Sequence, residues 1–235
     1  MSLTDLQILY EDNHLLAVAK PAGLATIGVT EEEPSLAKSA KKYLKAKYQK
    51  PGNVYLGVMS RLDAVVTGVV LFARTSKAAA RLTEQFRTRS VEKRYLAIVE
   101  GIVEPAAGAF NDWVAKNEPR QRMDVVNEST PKAQYAQLTY RRVAETNALS
   151  LVEVELQTGR KHQIRLQFAS REHPVLGDRK YGSNRRFAAG IPLHSLQLSV
   201  DHPTRQERLT FHCPPPQTWQ SAGLGAALKQ FDKRS

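Results

Sequence analysis

At 235 residues the chain has material for one large domain or two small ones with a sizeable core, and no apolar run approaches the roughly 20 residues that span a bilayer. Its 34 Lys and Arg against 23 Asp and Glu give a net charge of +11, which points to a polyanionic partner; nucleic acid is favoured over a membrane surface, because no stretch joins a basic face to a large apolar one. Cys213 is the only cysteine, which excludes an intramolecular disulfide and disfavours a cysteine-based zinc site; with no signal-peptide pattern in Met1-Ser2-Leu3-Thr4-Asp5, a reducing cytoplasm is expected.

Residues 6–10 and 15–19 are strand-like runs around the turn formers Glu11-Asp12-Asn13-His14, which reads as a β-hairpin. Lys20-Pro21-Ala22-Gly23 then turns the chain. Glu31-Glu32-Glu33 before Pro34 is a helix-start signature, with Pro34 in the first turn. The helix predicted over 35–48 places Leu36, Ala40, Tyr43, Leu44 and Tyr48 near one face and Lys38, Lys41, Lys42 and Lys45 largely off it. Pro51-Gly52 stops it.

Next comes a dense stretch, Met59 to Ala73. Arg61 and Asp63 flank Leu62; if the segment is extended, the two charges share a face and Leu62 points away. A guanidinium beside a carboxylate keeps the latter charged. Val69 to Phe72 is apolar and β-branched, a buried strand. Taken alone, these residues read more simply as a surface turn with a weak ion pair. A second helix is predicted over 77–88, capped by Thr75 or Ser76, with Ala79, Leu82 and Phe86 buried and Lys77, Arg81 and Arg87 on other faces. The basic faces of both helices suit solvated surface and RNA contact equally well.

Residues 94–99 form a strand closed by Glu100-Gly101. The polar stretch 112–132, with two prolines and no periodicity, is a long loop or an irregular hairpin. Strands resume at 133–140 and 149–156. Thr158-Gly159 then turns the chain into Arg160-Lys161-His162-Gln163-Ile164-Arg165, whose cations and post-glycine amides suit phosphate, although a hairpin turn with surface charges is the plainer reading. His162 reads as orienting its neighbours, since no second ligand cluster stands near it. Ile164 and Phe168 favour helix over strand for 162–170. Strands at 193–200 and 208–212, the Pro214-Pro215-Pro216 stop and a terminal helix over 222–231 complete the chain. Strands and helices without a regular βαβ rhythm argue for one α+β domain over residues 1–235.

Four stretches stand in series: Tyr10-Glu11-Asp12 through Val18-Ala19-Lys20-Pro21-Ala22-Gly23; Arg61-Leu62-Asp63 with Thr67-Gly68-Val69-Val70-Leu71-Phe72-Ala73; Lys93-Arg94-Tyr95-Leu96-Ala97-Ile98-Val99-Glu100-Gly101; and Thr158 to Arg165 followed by His173-Pro174-Val175-Leu176-Gly177-Asp178 and Tyr181-Gly182. Together they resemble the RluA family of pseudouridine synthases, over roughly residues 6–219. The resemblance implies a mixed, mainly antiparallel sheet flanked by helices and loops, and an enzyme that isomerises uridine in ribosomal or transfer RNA to pseudouridine. It implies no cofactor and no metal, a monomer, and a chain that opens directly in the catalytic domain without the S4-like domain many relatives carry. By motif position Asp63 is the catalytic carboxylate, Arg165 its basic partner, and Tyr95 the active-site tyrosine. Arg61, Arg160, Lys161, His162 and Gln163 are implied RNA contacts.

An ionised Asp63 serves attack on the sugar, attack on the base, or removal of a ribose proton, and the sequence leaves all three open. Two positions depart from the family pattern: Ser60 stands where His is usual, and Val66-Thr67-Gly68 where Thr-Ser-Gly is usual. They motivate one alternative, a catalytically silent RNA-binding protein on the same fold. A second rival, a glycosidic hydrolase, needs two carboxylates; Asp178 is the one obvious second candidate, and Gly177-Asp178 reads better as a structural turn.

Overall fold

The opening runs form an antiparallel hairpin, β1 (Gln7–Glu11) and β2 (Leu15–Lys20), with a bulge between Ile8 and Tyr10. Asp12 shapes its turn, one carboxylate oxygen accepting the N–H groups of His14 and Leu15 at 2.7 Å each. The computed structural model describes residues 6–28, 30, 32–188 and 190–232; the opening pentapeptide and Glu31 of the acidic run lie outside them. The chain divides into two compact units, Met1–Glu92 with Ser195–Pro214, and Lys93–His194 with Pro215–Ser235.

In the first unit, α1 (Leu36–Lys47) buries Leu36, Ala40 and Leu44 at a spacing of four. Its start differs from the expectation. Ser35 is extended, in a parallel bridge with Ala25, and its hydroxyl caps Lys38 N–H. Pro34 therefore precedes the cap instead of sitting in the first turn. After the short β3 (Gly57–Val58) comes β4 (Thr67–Ala73), every residue of which is buried. It pairs antiparallel with β2 from Lys20↔Gly68 to Leu15↔Ala73. Leu15, Ala17, Val69, Leu71 and Ala73 share a core with Ala78 and Leu82 of α2 (Ser76–Thr88), which Thr75 caps. The alternate residues Leu16, Val18, Val70 and Phe72 are fully buried as well. Burial on both faces is why these strands read as continuous apolar runs.

The second unit holds β5 (Glu92–Glu100), β6 (Ala107–Asn117), β7 (Arg122–Val126), β8 (Gln134–Glu145) and β9 (Leu149–Leu156), in the spatial order β5-β9-β8-β6-β7. The stretch with no readable period is thus largely a hairpin, β6 pairing β7 from Asn117↔Arg122 to Trp113↔Val126. Its inward contribution is small, Val114 and Met123 packing with Ala136, Leu166 and Tyr181, so little alternation reaches the sequence. Next, α3 (Gln163–Ala169) confirms helix over strand, and residues 163–168 are all buried.

The chain returns through β10 (Leu193–Asp201) and β11 (Arg208–His212), which pair antiparallel. β10 lies beside β4, and their closeness is legible at one glycine. A Cβ on Gly68 (φ +113°) would meet the backbone of Ser195, at 2.6 Å from its nitrogen and 2.7 Å from its carbonyl carbon. The expected terminal helix is present from residue 225, a four-residue α4 (Gly225–Leu228) running into a 3₁₀ turn (Lys229–Phe231), and a separate 3₁₀ turn (Gln217–Ala222) precedes it. Gly223, left-handed at φ +76°, ends that preceding turn, so the helix begins three residues later than expected. The ladders β1·β2, β2·β4, β3·β4 and β10·β11 of the first unit and β5·β9, β8·β9, β6·β8 and β6·β7 of the second are antiparallel, a mainly antiparallel α+β architecture as expected. No helix among the described residues is long and apolar enough to cross a membrane.

Candidate active site

Asp63 lies on an irregular segment between β3 and β4, and its backbone is held from several sides within the first unit. Thr26 clamps the preceding residue twice, its hydroxyl accepting Leu62 N–H at 3.0 Å and donating to Leu62 O at 2.9 Å. Val66 N–H donates to Asp63 O at 3.0 Å, closing a turn, and Gly23 N–H donates to Ala64 O at 2.8 Å. Leu62 is buried, Arg61 exposed and Asp63 half-buried. The segment is in no ladder, yet Leu62 turns inward as the alternation required. Ser60, the departure from the family's histidine, accepts Leu71 N–H on its hydroxyl at 2.9 Å. It satisfies a β4 amide, and Val66 is buried beside the turn.

Lys20 is the residue the sequence reading passed over. It is 2% exposed, and its ammonium donates to Pro21 O at 2.9 Å, Leu24 O at 2.6 Å and Ala64 O at 3.1 Å. Three carbonyls thus take up its three N–H donors. Burial pushes the ammonium down to about 8, opposed by the charge of Asp63. A buried cation therefore fixes the Asp63 turn and draws on its carboxylate. The available signal was a lone lysine ending an otherwise apolar, fully buried run.

In the second unit, Tyr95 is half-buried on β5 opposite Val154 of β9. The turn into α3 is braced by Gln163, 3% exposed. Its amide oxygen accepts the Thr158 hydroxyl at 2.8 Å and Arg160 N–H at 2.9 Å, while its amide nitrogen donates to Gln137 O at 3.1 Å. This side chain braces the turn that carries Arg160 and Lys161. Arg160 donates from Nε to Tyr135 O at 2.8 Å, and Lys161 is exposed. His162, left-handed at φ +56°, has Nδ1 2.8 Å from the Tyr181 hydroxyl, an orienting contact of the kind its isolation from other ligands suggested.

Arg165 is 5% exposed and forms a bidentate pair with Asp178, Nε to Oδ2 at 2.6 Å and Nη2 to Oδ1 at 2.8 Å; its guanidinium also lies 5.1 Å from the Tyr181 ring centroid. Asp178 does form a backbone turn, its carbonyl accepting the N–H groups of Tyr181 and Ser183. The sequence did not show that the same residue supplies Arg165 with a buried carboxylate. Both Asp178 oxygens being engaged by the guanidinium, it is poorly suited to be a hydrolase's second acid.

The family described as RNA pseudouridylate synthase matches residues 14–170. The chain is 34% identical over 214 residues to the dual-specificity RNA pseudouridine synthase RluA of Haemophilus influenzae, covering 88% of this chain and 92% of that one. It is 33% identical over 216 residues to the uncharacterized RNA pseudouridine synthase YhcT of Bacillus subtilis, covering 90% of this chain and 69% of that one. Among solved structures, human RNA pseudouridylate synthase domain containing 4 superposes with a TM-score of 0.76 at 27% identity, over 97% of this chain and 94% of that one.

Proposed function

Because the chain belongs to the RNA pseudouridylate synthase family, we propose that it isomerises uridine in ribosomal or transfer RNA to pseudouridine, with Asp63 as the reacting carboxylate. The observation that carries this reading is the Asp63 turn. A half-buried carboxylate stands at the family's motif position, its backbone held by Thr26, Gly23 and the buried ammonium of Lys20. Such support fixes the backbone that carries the acidic side chain, a step toward the placement a reacting group requires.

The reaction breaks the N1–C1′ bond, turns the uracil, and joins C5 to C1′, so C5 gives up its proton while N1 gains one. It is a redox-neutral isomerisation. An ionised carboxylate acts in it as nucleophile or base. Tyr95 and Arg165 are assigned by their motif positions, the tyrosine to stack on the uracil and help take the C5 proton, the arginine to support the carboxylate. Uridine stacked in RNA must first be everted, at a cost of about a few kcal/mol. Exposed Arg61 and Lys161 are assigned to the RNA backbone. The protein acts as a monomer in the cytoplasm on this reading.

The test is tritium release from cellular RNA labelled at uridine C5. The parent protein should release it, and Asp63→Asn should not, while keeping its melting temperature and RNA affinity. Release by Asp63→Asn at the parental rate removes Asp63 from its role. Absence of release by the parent from any RNA it binds would establish the silent-binder alternative.

A further inference from the structure

Helix α1 carries five lysines in twelve residues and no acid. With 3.6 residues per turn, Lys38, Lys41, Lys42 and Lys45 fall within an arc of about 100°, centred opposite the buried stripe of Leu36, Ala40 and Leu44. They are like charges at i, i+3 and i, i+4, an arrangement that destabilises a helix. Lys38 also stands in the first turn, against the helix dipole. Helix stability therefore does not account for the pattern.

The cations of this unit differ in how they are used. Lys47 pairs with Glu11 at 2.7 Å, and Lys38 donates to Glu33 O at 2.6 Å. On α2, Arg87 pairs with Glu84 and Arg81 donates to Pro203 O. Lys41, Lys42 and Lys45 are exposed and form no ion pair or hydrogen bond among the described residues.

We infer that Lys41, Lys42 and Lys45 form a docking surface for the phosphate backbone of RNA lying outside the reacting uridine, an inference that rests on RNA being the substrate. Charge complementarity selects the occupant, three unpaired ammonium groups on one face of a chain of net charge +11. A membrane surface fits less well. The apolar side chains of α1 are buried in its own unit, and Tyr48, exposed at the helix end, has its hydroxyl on Glu11 and its ring against Arg74.

The surface is tied to the site. Leu36 N–H donates to Ala25 O and Ala37 N–H to Thr26 O, and the Thr26 side chain clamps Leu62 beside Asp63. At the other end Tyr43 and Lys47 both bond Glu11. A phosphate held on α1 is thereby held at a fixed offset from Asp63. The lysine face sets the register in which RNA is offered to the carboxylate.

The probe is a fluorescein-labelled 30-nucleotide single-stranded RNA of arbitrary unstructured sequence, since backbone binding is sequence-independent. Its Kd is measured from 50 to 500 mM salt for the parent and for Lys41→Gln/Lys42→Gln/Lys45→Gln. At a slope of roughly −0.7 per phosphate, losing three contacts should make the plot of log Kobs against log salt shallower by about 2. Affinity at the lowest salt should fall tenfold or more. A charge-matched variant, Arg120→Gln/Lys132→Gln/Lys229→Gln, should keep the parental slope. An unchanged slope in the α1 variant, or an equal change in both variants, overturns the inference. So does sedimentation of the parent with 30% phosphatidylserine vesicles that the α1 variant alone loses while its RNA slope stays parental. Tritium release by the parent is scored separately. A protein that binds RNA through α1 and releases no tritium keeps this surface and loses the enzyme assignment.

Discussion

Asp178→Ala tests the part of the second unit on which Arg165 depends. The two side chains are 7% and 2% exposed and meet through two charge-assisted hydrogen bonds at 2.6 and 2.8 Å. Truncating Asp178 leaves the guanidinium in place and buried, and removes both of these bonds. Breaking a buried pair by removing one member costs about 3–5 kcal/mol, roughly a third to a half of the stability of a domain of about 10 kcal/mol. The backbone turn at 178 survives the substitution, because its hydrogen bonds use main-chain atoms. The loss therefore belongs to the ion pair.

A second variant separates pair energy from packing. Arg165→Met/Asp178→Leu removes both charges and returns apolar volume, a replacement that is often neutral or stabilising. It should be less destabilised than Asp178→Ala by about 2 kcal/mol or more, in urea unfolding followed by circular dichroism at constant m-value. Asp178→Asn keeps the shape and loses the charge. It should retain the fold with reduced tritium release, since Arg165 is no longer held from two sides. A cost below about 1 kcal/mol for Asp178→Ala, or a double variant worse than the single, would refute the reasoning.

Gly68→Ala should destabilise the first unit by about 3 kcal/mol or more, combining left-handed strain with an overpacked contact. Since the atoms in the way are backbone atoms of Ser195, adding Ser195→Gly should give no rescue in a thermal melt; rescue would contradict the close approach. Lys20 gives a pH dependence of stated sign. Its folded-state value is lowered from 10.5 to about 8, so between about pH 8 and 10.5 the unfolded chain holds a proton the folded one has released. Stability therefore rises with pH across that window, by up to about 3 kcal/mol, and the gain is lost as pH falls through 8. Activity should move the other way, declining above about pH 8 as the cation beside Asp63 disappears. Lys20→Met should lack the stability inflection in denaturant titrations at several pH values; its persistence would exclude Lys20 as the source.

The legible parts of the fold were those whose packing follows from local pattern. β2 and β4 were readable because both faces are buried, so the apolar residues run without interruption. α2 was readable from its cap and its stripe. The errors arose where a distant contact or one backbone conformation decides. Pro34 was placed one step too far into α1 because the bridge between Ala25 and Ser35 keeps the preceding residue extended, and residue 25 lies outside any helical window. The terminal helix starts later than its pattern suggests because left-handed Gly223 closes the turn before it. The β6–β7 hairpin was indistinct because its inward-facing residues are few.

In the candidate site, the motif spacing identified segments more reliably than the tasks of their residues. Gly68 stands in the motif before a buried strand, and what requires a glycine there is an approach by Ser195, far along the chain. Gln163 stands among the RNA contacts that the resemblance implies, and its amide also closes the turn that carries Arg160 and Lys161. Lys20 looked like the start of a turn, and its ammonium binds carbonyls at three points, one of them 44 residues away. Each of these side chains fixes backbone or another side chain, a role whose geometry appears only after folding. Reacting groups have a chemical type that can be read directly; their supports are defined by whatever needs holding. A substitution such as Ser60 can therefore be absorbed at a site of this kind when, as here, the hydroxyl finds a backbone amide at Leu71 to satisfy.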